Sequence, residues 1–169
     1  MANSVIVMGV AGCGKSSLGR ALAVALHCPL IEGDEFHSAI SNDKMRRGIA
    51  LDDADRADWL DLLGEQLRAH PERVVLTCSA LKRSYRDQLR LASPGLKFAF
   101  LRIDPVHAMQ RVSARASAHL FPPSLVASQF EALESPEGEP GVLVLNATAP
   151  LDQIVEAVVT WTTSTTDAA

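Results

Sequence analysis

The residues with the clearest chemical meaning lie near the amino terminus, where residues 9–16 read GVAGCGKS. They form a complete GxxxxGK(S/T) pattern between a short apolar run and a helical pattern, which is the setting that a phosphate-binding loop requires. Glycines let the backbone N–H groups of such a loop turn towards an anion, and the positive end of the next helix adds to the attraction. Lys15 is expected to reach the β and γ phosphates of a nucleotide, and Ser16 to offer its hydroxyl to Mg²⁺. The predicted nucleotide-contacting residues are Gly9, Val10, Ala11, Gly12, Cys13, Gly14, Lys15, Ser16 and Ser17.

A phosphate loop alone does not separate kinases from GTPases, motor ATPases or nucleotide-binding regulators. A GTPase would carry an NKxD-type base-reading motif, which the sequence lacks. A motor ATPase normally has an acidic residue at the end of a later hydrophobic strand, but here residues 74–77 run into CSALK. The acid follows the second apolar run instead, as Asp34 in the segment EGDEFH. Because the carboxyl ends of parallel strands share one edge of a sheet, Asp34 is expected to face the γ-phosphate and to accept a proton or orient a hydroxyl.

These residues need a scaffold that brings strand ends together, and the apolar periodicity predicts one. Short apolar runs predict five strands, at residues 5–8, 29–31, 74–77, 98–101 and 142–145. Apolar residues at helical spacing predict helices between them, around residues 18–26, 59–67, 85–89, 106–112 and 154–161. Strands that alternate with helices predict an α/β fold with a mostly parallel sheet covered on both faces. The tail at 162–169 is expected to fray.

Length and composition indicate one domain without a membrane segment. The 169 residues are 47% apolar and 21% charged, which suits a single globular core. No apolar run approaches the roughly 20 residues that span a bilayer, and the first ten residues carry no basic charge, so we expect a cytoplasmic protein without a membrane partner. Three cysteines without metal-type clustering are expected to be free thiols.

The net charge of -4 hides an uneven distribution along the chain. All 16 basic residues lie at or before Arg115, against 13 acidic residues in the same stretch, which gives +3. The remaining residues hold 7 acids and no Lys or Arg, which gives -7. The first two-thirds is therefore where an anionic ligand is expected to bind, and nucleic acid is not expected as a partner.

Six stretches carry a family pattern: GVAGCGKS, EGDEFH, NDKM at 42–45 with Gly48 and Leu51, DADRADWL at 53–60, CSALKRSYRDQLR at 78–90 and SQFEALESP at 128–136. In their order and spacing they resemble the gluconate kinases, small P-loop kinases that phosphorylate D-gluconate at its 6-hydroxyl. The resemblance implies an adenylate-kinase-like fold with five parallel strands, an acceptor-binding helical region at 37–69 and a lid at 111–134. It also implies ATP and Mg²⁺ as cofactors, D-gluconate as the substrate and a homodimer.

Gluconate presents a carboxylate and a polyol chain, so its site needs fixed cations at one end and hydrogen-bonding groups along the rest. Lys82 and Arg86 lie four residues apart on the helix after the third strand, and both are expected to hold the carboxylate. His37 is expected to hydrogen-bond a sugar hydroxyl, and Arg56 to reach towards substrate or phosphate. Gln129 matches the SQ pair of the family and is expected to contact substrate.

The lid residues also follow from the resemblance. Arg115 is expected to clamp the transferring phosphoryl group together with Lys15, with Arg111 and His119 as other candidates for phosphate contact. Relatives usually carry a basic residue and a glycine just before that histidine, whereas this chain has residues 116–118 as ASA. The loop at 146–152, NATAPLD, is expected to lie against adenine.

Two alternative functions remain open at this point. A shikimate-kinase-like enzyme has a similar size and also places acids after the second strand, but the Gly-Gly-Gly segment expected there is missing. A nucleotide-binding regulator without turnover would need no cations on the acceptor side. The interpretation that fits the most residues is ATP-dependent phosphorylation of D-gluconate to 6-phospho-D-gluconate.

Overall fold

Five short strands form the centre of the structure, a computed structural model that describes residues 3–115 and 121–164. The strands are β1 (Val5–Met8), β2 (Leu30–Glu32), β3 (Val75–Thr77), β4 (Lys97–Arg102) and β5 (Val142–Asn146). They hydrogen-bond in the order β2-β3-β1-β4-β5, and every neighbouring pair is parallel. The predicted five-stranded parallel sheet is confirmed.

Seven α-helices are present in the described part of the chain. They are α1 (Lys15–Ala25), α2 (Ala39–Arg46), α3 (Asp53–Ala69), α4 (Arg83–Ala92), α5 (Pro105–Ala114), α6 (Val126–Ala132) and α7 (Leu151–Ser164). The apolar spacing predicts all of them except α2 and α6. These two helices are short and bury a single residue each, Ser41 and Val126, so they have no apolar stripe that the sequence could show.

The central strand β1 is completely buried and divides the core into two layers. Its four residues are each 0% exposed. Val5 and Val7 pack with residues of α1, α5 and α7, whereas Ile6 and Met8 pack with residues of α3 and α4. Successive strand residues point to opposite faces, so this alternation places helices on both sides of the sheet. A parallel sheet needs this cover because both of its faces are apolar.

The carboxyl ends of β2 and β3 are held together by a close backbone contact. A Cβ on Gly33, directly after β2, would lie 2.1 Å from the Thr77 carbonyl oxygen, so only glycine fits. The Gly33 N–H donates to the Thr77 hydroxyl at 3.2 Å, and the Gly33 carbonyl accepts from the Trp59 indole at 2.8 Å. The turn after β2 is therefore fixed against both β3 and α3.

The helix α3 begins at a defined point. Asp52 accepts a hydrogen bond from the Asp55 N–H at 2.8 Å, and the Asp55 side chain accepts from the Asp52 N–H at 3.0 Å. This reciprocal capping box satisfies two N–H groups at the helix start. It fixes the first turn of α3, from which Arg56 and then Trp59 project into the interior, 8% and 3% exposed.

One expectation about the chain's second half needs correction. The helix α7 continues to Ser164 and buries Thr162, so the predicted fraying does not begin at 162; residues 165–169 lie outside the described residues. The helix α5 packs through Ala108 and Val112, whereas Val106 is 65% exposed. No helix in the described ranges is both long and apolar enough to cross a membrane.

Candidate functional site

A cavity of about 400 Å³ opens at the carboxyl edge of the sheet. Its walls come from the glycine-rich loop after β1, the turn after β2, the start of α3, the end of α5 and the segment 121–129. The predicted site residues that line it are Ala11, Gly12, Gly14, Lys15, Ser16, Ser17, Asp34, His37, Arg56, Arg115 and Gln129. The fold thus brings most of the predicted residues to one place, although they are far apart in the sequence.

The glycine-rich loop adopts a shape that other residues would disturb. Gly12 and Gly14 have φ angles of 83° and 99°, and a Cβ on Gly12 would lie 2.7 Å from the Ala108 carbonyl oxygen. Beneath the loop, the side chains of Val10 and Cys13 are buried, 2% and 1% exposed. These two predicted nucleotide-contacting residues can therefore meet a ligand only through their backbone.

The Lys15 side chain is already folded over the loop. Its ammonium donates to the carbonyl oxygens of Gly9 and Val10, at 3.0 and 3.1 Å. Gly9 does not line the cavity, but its carbonyl helps to hold Lys15 in position. The ammonium and the positive end of α1 lie together at this end of the cavity, which is the arrangement that attracts phosphate groups.

Glu32, at the end of β2, is a site residue that the sequence analysis missed. Its Oε2 atom accepts hydrogen bonds from the hydroxyls of Ser16, at 3.0 Å, and Thr77, at 2.7 Å. Its Oε1 atom is buried without a hydrogen-bond partner among the described residues, and Arg20 lies 3.8 Å away from it. The sequence contains a partial signal, since Glu32 is the last residue of an otherwise apolar run, but it does not show the two hydroxyls that converge on this carboxylate from other elements.

Asp34 and His37 enter the cavity from the turn after β2. Asp34 lies in a 3₁₀ turn, Gly33–Phe36, and its side chain is 80% exposed. His37 stacks on Trp59, with ring centroids 4.3 Å apart, and its Nε2 atom lies 3.8 Å from Asp34 Oδ1. Burial lowers the pKa of His37 and outweighs the opposing effect of Asp34, so the imidazole is neutral at neutral pH. Asp34 is thus the accessible carboxylate of the pair, beside a neutral ring.

Arg56 and Lys82 both lie close to the Tyr85 ring. The Arg56 guanidinium lies 5.8 Å from the ring centroid, donates to the Leu51 carbonyl at 2.7 Å and lines the cavity. The Lys82 ammonium lies 5.7 Å from the same centroid and pairs with Asp53 at 2.8 Å, but it does not line the cavity. Of these two cations, Arg56 is therefore the one that contributes to the cavity wall.

Arg86 is not available to substrate, which corrects its prediction as a carboxylate ligand. The side chain is 0% exposed and forms two bonds to Glu139, at 3.0 and 2.6 Å. Its other N–H groups donate to the carbonyl oxygens of Ala80, Leu81 and Glu134. All five guanidinium donors are used, so none remains for a ligand. The sequence showed a cation one helical turn from Lys82 but could not show that it faces inward.

The two lid arginines have different surroundings. Arg111 donates to the carbonyl oxygens of Gly12 and Cys13, both at 3.3 Å, and to that of Ala147 at 2.9 Å. It joins the glycine-rich loop to the loop at 146–152. Arg115 lines the cavity, is exposed, and has one bond to the Arg111 carbonyl at 3.3 Å. His119, the other lid candidate, lies outside the described residues.

Comparison with known proteins agrees with this geometry. The family model described as shikimate kinase matches residues 11–134. The gluconokinase of Arabidopsis thaliana is 40% identical over 150 residues, which cover 80% of this chain and 79% of that protein. The thermosensitive gluconokinase of Escherichia coli (strain K12) is 42% identical and covers 80% of this chain and 74% of its own length. The crystal structure of a gluconokinase from Sinorhizobium meliloti 1021 has a TM-score of 0.88 and 43% identity, over 96% of this chain and 93% of that one.

Replacing Glu139 by Gln is expected to lower the free energy of unfolding by about 3 kcal/mol, because the buried Arg86 charge loses its counter-ion while the shape of its partner is kept. Glu137→Gln in the same loop is the matched control. Its pair with Arg102 is 47% and 61% exposed, so we expect a change of less than about 1 kcal/mol. Denaturant unfolding measures both values, and equal effects would contradict a structural role for Arg86.

The same ion pair predicts a pH dependence of stability. Burial alone would raise the pKa of Glu139, but hydrogen bonds from Arg86 and Arg90 outweigh it and hold the pKa below the ordinary 4.5. Because the folded-state pKa is depressed, the stabilisation is complete above pH 4.5 and is lost as the pH falls through the folded pKa. Denaturant unfolding of wild type and Glu139→Gln at a series of pH values checks this. The gap between their free energies of unfolding should be constant near neutral pH and should shrink below pH 4.5. A gap that stays undiminished into acid would contradict the pairing.

Proposed function

The chain belongs to the gluconokinase family, and from that premise we propose that it transfers the γ-phosphoryl group of ATP to the 6-hydroxyl of D-gluconate, giving ADP and 6-phospho-D-gluconate. One observation carries the proposal: a single cavity is lined by the phosphate loop, by the exposed carboxylate of Asp34 and by the buried cation of Arg56. A nucleotide phosphate and an anionic acceptor can therefore meet inside it.

Binding and alignment account for most of the work in phosphoryl transfer, since the protein forms no bond to the phosphoryl group. The backbone N–H groups from Gly12 to Ser17 and the Lys15 ammonium would hold the nucleotide phosphates. Lys15 is held over the loop by the carbonyl oxygens of Gly9 and Val10, so little of its freedom remains to be lost on binding. The backbone of the loop at 146–152, braced by Arg111, would contact adenine.

Magnesium fits the polar groups beside the loop. The Ser16 hydroxyl lies next to Glu32, whose Oε1 atom is buried without a hydrogen-bond partner in the described ranges. Both offer hard oxygen atoms, the kind that Mg²⁺ prefers. No group of three His, Cys, Asp or Glu side chains among the described residues could hold a metal by itself, which suits an ion held mainly by phosphates and water. When bound, the ion neutralises charge on the β and γ phosphates.

Asp34 would orient the 6-hydroxyl and accept its proton. Its carboxylate is accessible from the cavity, and the turn that carries it is fixed through Gly33 to Thr77. The neutral His37 ring beside it would hydrogen-bond a sugar hydroxyl without adding charge. Arg115 would neutralise the transferring phosphoryl group from the lid side.

The main partner of the gluconate carboxylate would be Arg56. Arg56 is 8% exposed and its guanidinium forms no ion pair with a carboxylate among the described residues, so an anionic ligand would supply its missing partner. Lys82 would assist from the rim, where Asp53 now pairs with it. The homodimer and the cytoplasmic location that the resemblance implies remain predictions.

The two rival functions differ from this proposal in measurable ways. The shikimate kinase family model covers residues 11–134, whereas the relatives at 40% and 42% identity are gluconokinases. The chain should release ADP fastest when gluconate is offered with Mg²⁺ and ATP, compared with shikimate, other aldonates and nucleosides offered separately. Faster release with shikimate would overturn the assignment to gluconate. Binding of ATP with no ADP release against the whole panel would instead support a regulator.

Replacing Asp34 by Asn is expected to leave the Kd of ATP within about threefold and to lower kcat by about 100- to 10,000-fold, because the acceptor hydroxyl loses its proton acceptor. Lys15→Ala should weaken both ATP binding and turnover, since the Lys15 ammonium would contact the phosphates in the ATP complex and in the transition state. Glu35→Gln is the control, because Glu35 is an exposed neighbour that does not line the cavity. Titration calorimetry and steady-state kinetics separate the two effects; unchanged turnover in Asp34→Asn would exclude its role as base.

A further inference from the structure

Ser79, the second residue after β3, has a hydroxyl that the fold itself does not use. The residue is half-buried and lines the cavity. Its hydroxyl forms no hydrogen bond in the described ranges, and its oxygen is not buried, so a ligand can reach it. The hydroxyls of Ser16 and Thr77, at the same edge of the sheet, both donate to Glu32 instead. Ser79 therefore offers an uncommitted donor at the end of β3.

The sheet order places Ser79 between the donor side and the acceptor side of the cavity. β3 lies between β2, which leads into the turn of Asp34, and β1, which leads into the phosphate loop. Neighbouring strands are about 4.8 Å apart, so the residues after β3 lie one strand spacing from each of these segments. The Ser79 carbonyl accepts from the Gly9 N–H at 3.3 Å, and the Thr77 hydroxyl accepts from the Gly33 N–H at 3.2 Å. A phosphoryl group that passes from nucleotide to acceptor crosses this interval.

The turn that carries Ser79 is held in a conformation that alanine rarely adopts. Ala80 has a φ angle of 46°, in the left-handed region that a Cβ disfavours, and is 0% exposed. The carbonyl oxygens of Ala80 and Leu81 accept from the buried Arg86 at 2.8 and 3.0 Å, and Leu81 also accepts from the Glu134 N–H at 2.8 Å. Such backbone strain persists only where the surroundings fix it, and it clusters at functional sites. Ser79 is therefore positioned before any ligand binds, which lets a donor act without reorganisation.

The chemistry of the transfer indicates which ligand atom this hydroxyl meets. The acceptor hydroxyl would give its proton to Asp34 and attack through a lone pair, so a second donor on that oxygen would oppose the attack. The phosphoryl oxygens are anionic, and hydrogen bonds to charged acceptors are the stronger ones. Lys15 and Arg115 would approach them from the loop and from the lid. Ser79 supplies a donor from the third side, at the edge of the sheet.

We propose that Ser79 is a further catalytic residue, whose hydroxyl donates a hydrogen bond to the transferring phosphoryl group. No covalent bond to Ser79 forms. The bond from the γ-phosphorus to the ADP oxygen breaks, a bond to the acceptor oxygen forms, and the acceptor proton passes to Asp34. The proposal rests on the proposed function, because it needs phosphoryl transfer in this cavity.

Two substitutions test the hydrogen bond. Ser79→Ala removes the hydroxyl, and Ser79→Cys keeps a side chain of similar size with a weak donor. In single-turnover experiments at saturating acceptor, with enzyme in excess of ATP, both should lower the rate constant of phosphoryl transfer about ten- to one hundredfold. The Kd of ATP and the acceptor KM should stay within about threefold, because the bond is strongest in the transition state. The unfolding midpoint should not change, since the hydroxyl has no partner in the described chain. Ser84→Ala, at an exposed serine of α4 that does not line the cavity, is the control and should match wild type.

Each other outcome overturns the catalytic role. Wild-type transfer in Ser79→Ala would show that the hydroxyl is not used, and wild-type transfer in Ser79→Cys alone would show that only volume matters. A raised acceptor KM at an unchanged transfer rate would place the hydroxyl on the acceptor. A lowered unfolding midpoint in both variants would show a structural role.

The choice of acceptor separates this test from the test of the proposed function. All variants are assayed with the acceptor that the wild-type chain phosphorylates fastest. A wild-type chain that prefers another acceptor to gluconate overturns the proposed function and leaves the Ser79 test intact. A wild-type chain that phosphorylates no acceptor overturns both.

Discussion

The hydroxyl of Thr77 is the contact on which the layout of the cavity depends. It donates to Glu32 at 2.7 Å and accepts from the Gly33 N–H at 3.2 Å, and the same Glu32 oxygen accepts from Ser16 at 3.0 Å. One buried group on β3 thereby connects the end of β2 with the first turn of α1. Parallel strands bring their carboxyl ends to one edge but do not fix the turns that follow them. Here the Thr77 hydroxyl fixes the turn after β2, and it thereby determines the position of Asp34 in that turn.

Whether a buried cation can bind a ligand depends on whether it already has an anionic partner. Arg56 and Arg86 are both buried, at 8% and 0% exposed. A buried charge needs a partner, and Arg86 has one in Glu139. Arg56 has a backbone carbonyl and an aromatic ring, neither of which carries a negative charge. The same burial therefore makes Arg86 part of the framework and leaves Arg56 suited to an anionic ligand.

The fold and the phosphate loop could be predicted from the sequence because their signals are local. Each strand of the sheet is a short apolar run, and the glycine spacing in GVAGCGKS by itself indicates the conformation of the loop. The role of Arg86 could not be predicted, since its partner Glu139 is 53 residues away and only tertiary packing joins them. Glu32 was missed for a similar reason: its significance comes from Ser16 and Thr77, which approach it from other elements.

The uneven distribution of charge along the chain reflects ion pairs within the fold as well as the position of the phosphate loop. Acids of the last third pair with cations of the first two-thirds: Glu139 holds Arg86 and Arg90, and Glu137 holds Arg102. These pairs remove three arginines from the count that could meet a ligand. Of all the basic side chains in the described ranges, the cavity is lined by Lys15, Arg56 and Arg115. Acids of the last third therefore neutralise part of the positive charge of the first segment, and Lys15, Arg56 and Arg115 supply the positive charge at the cavity wall.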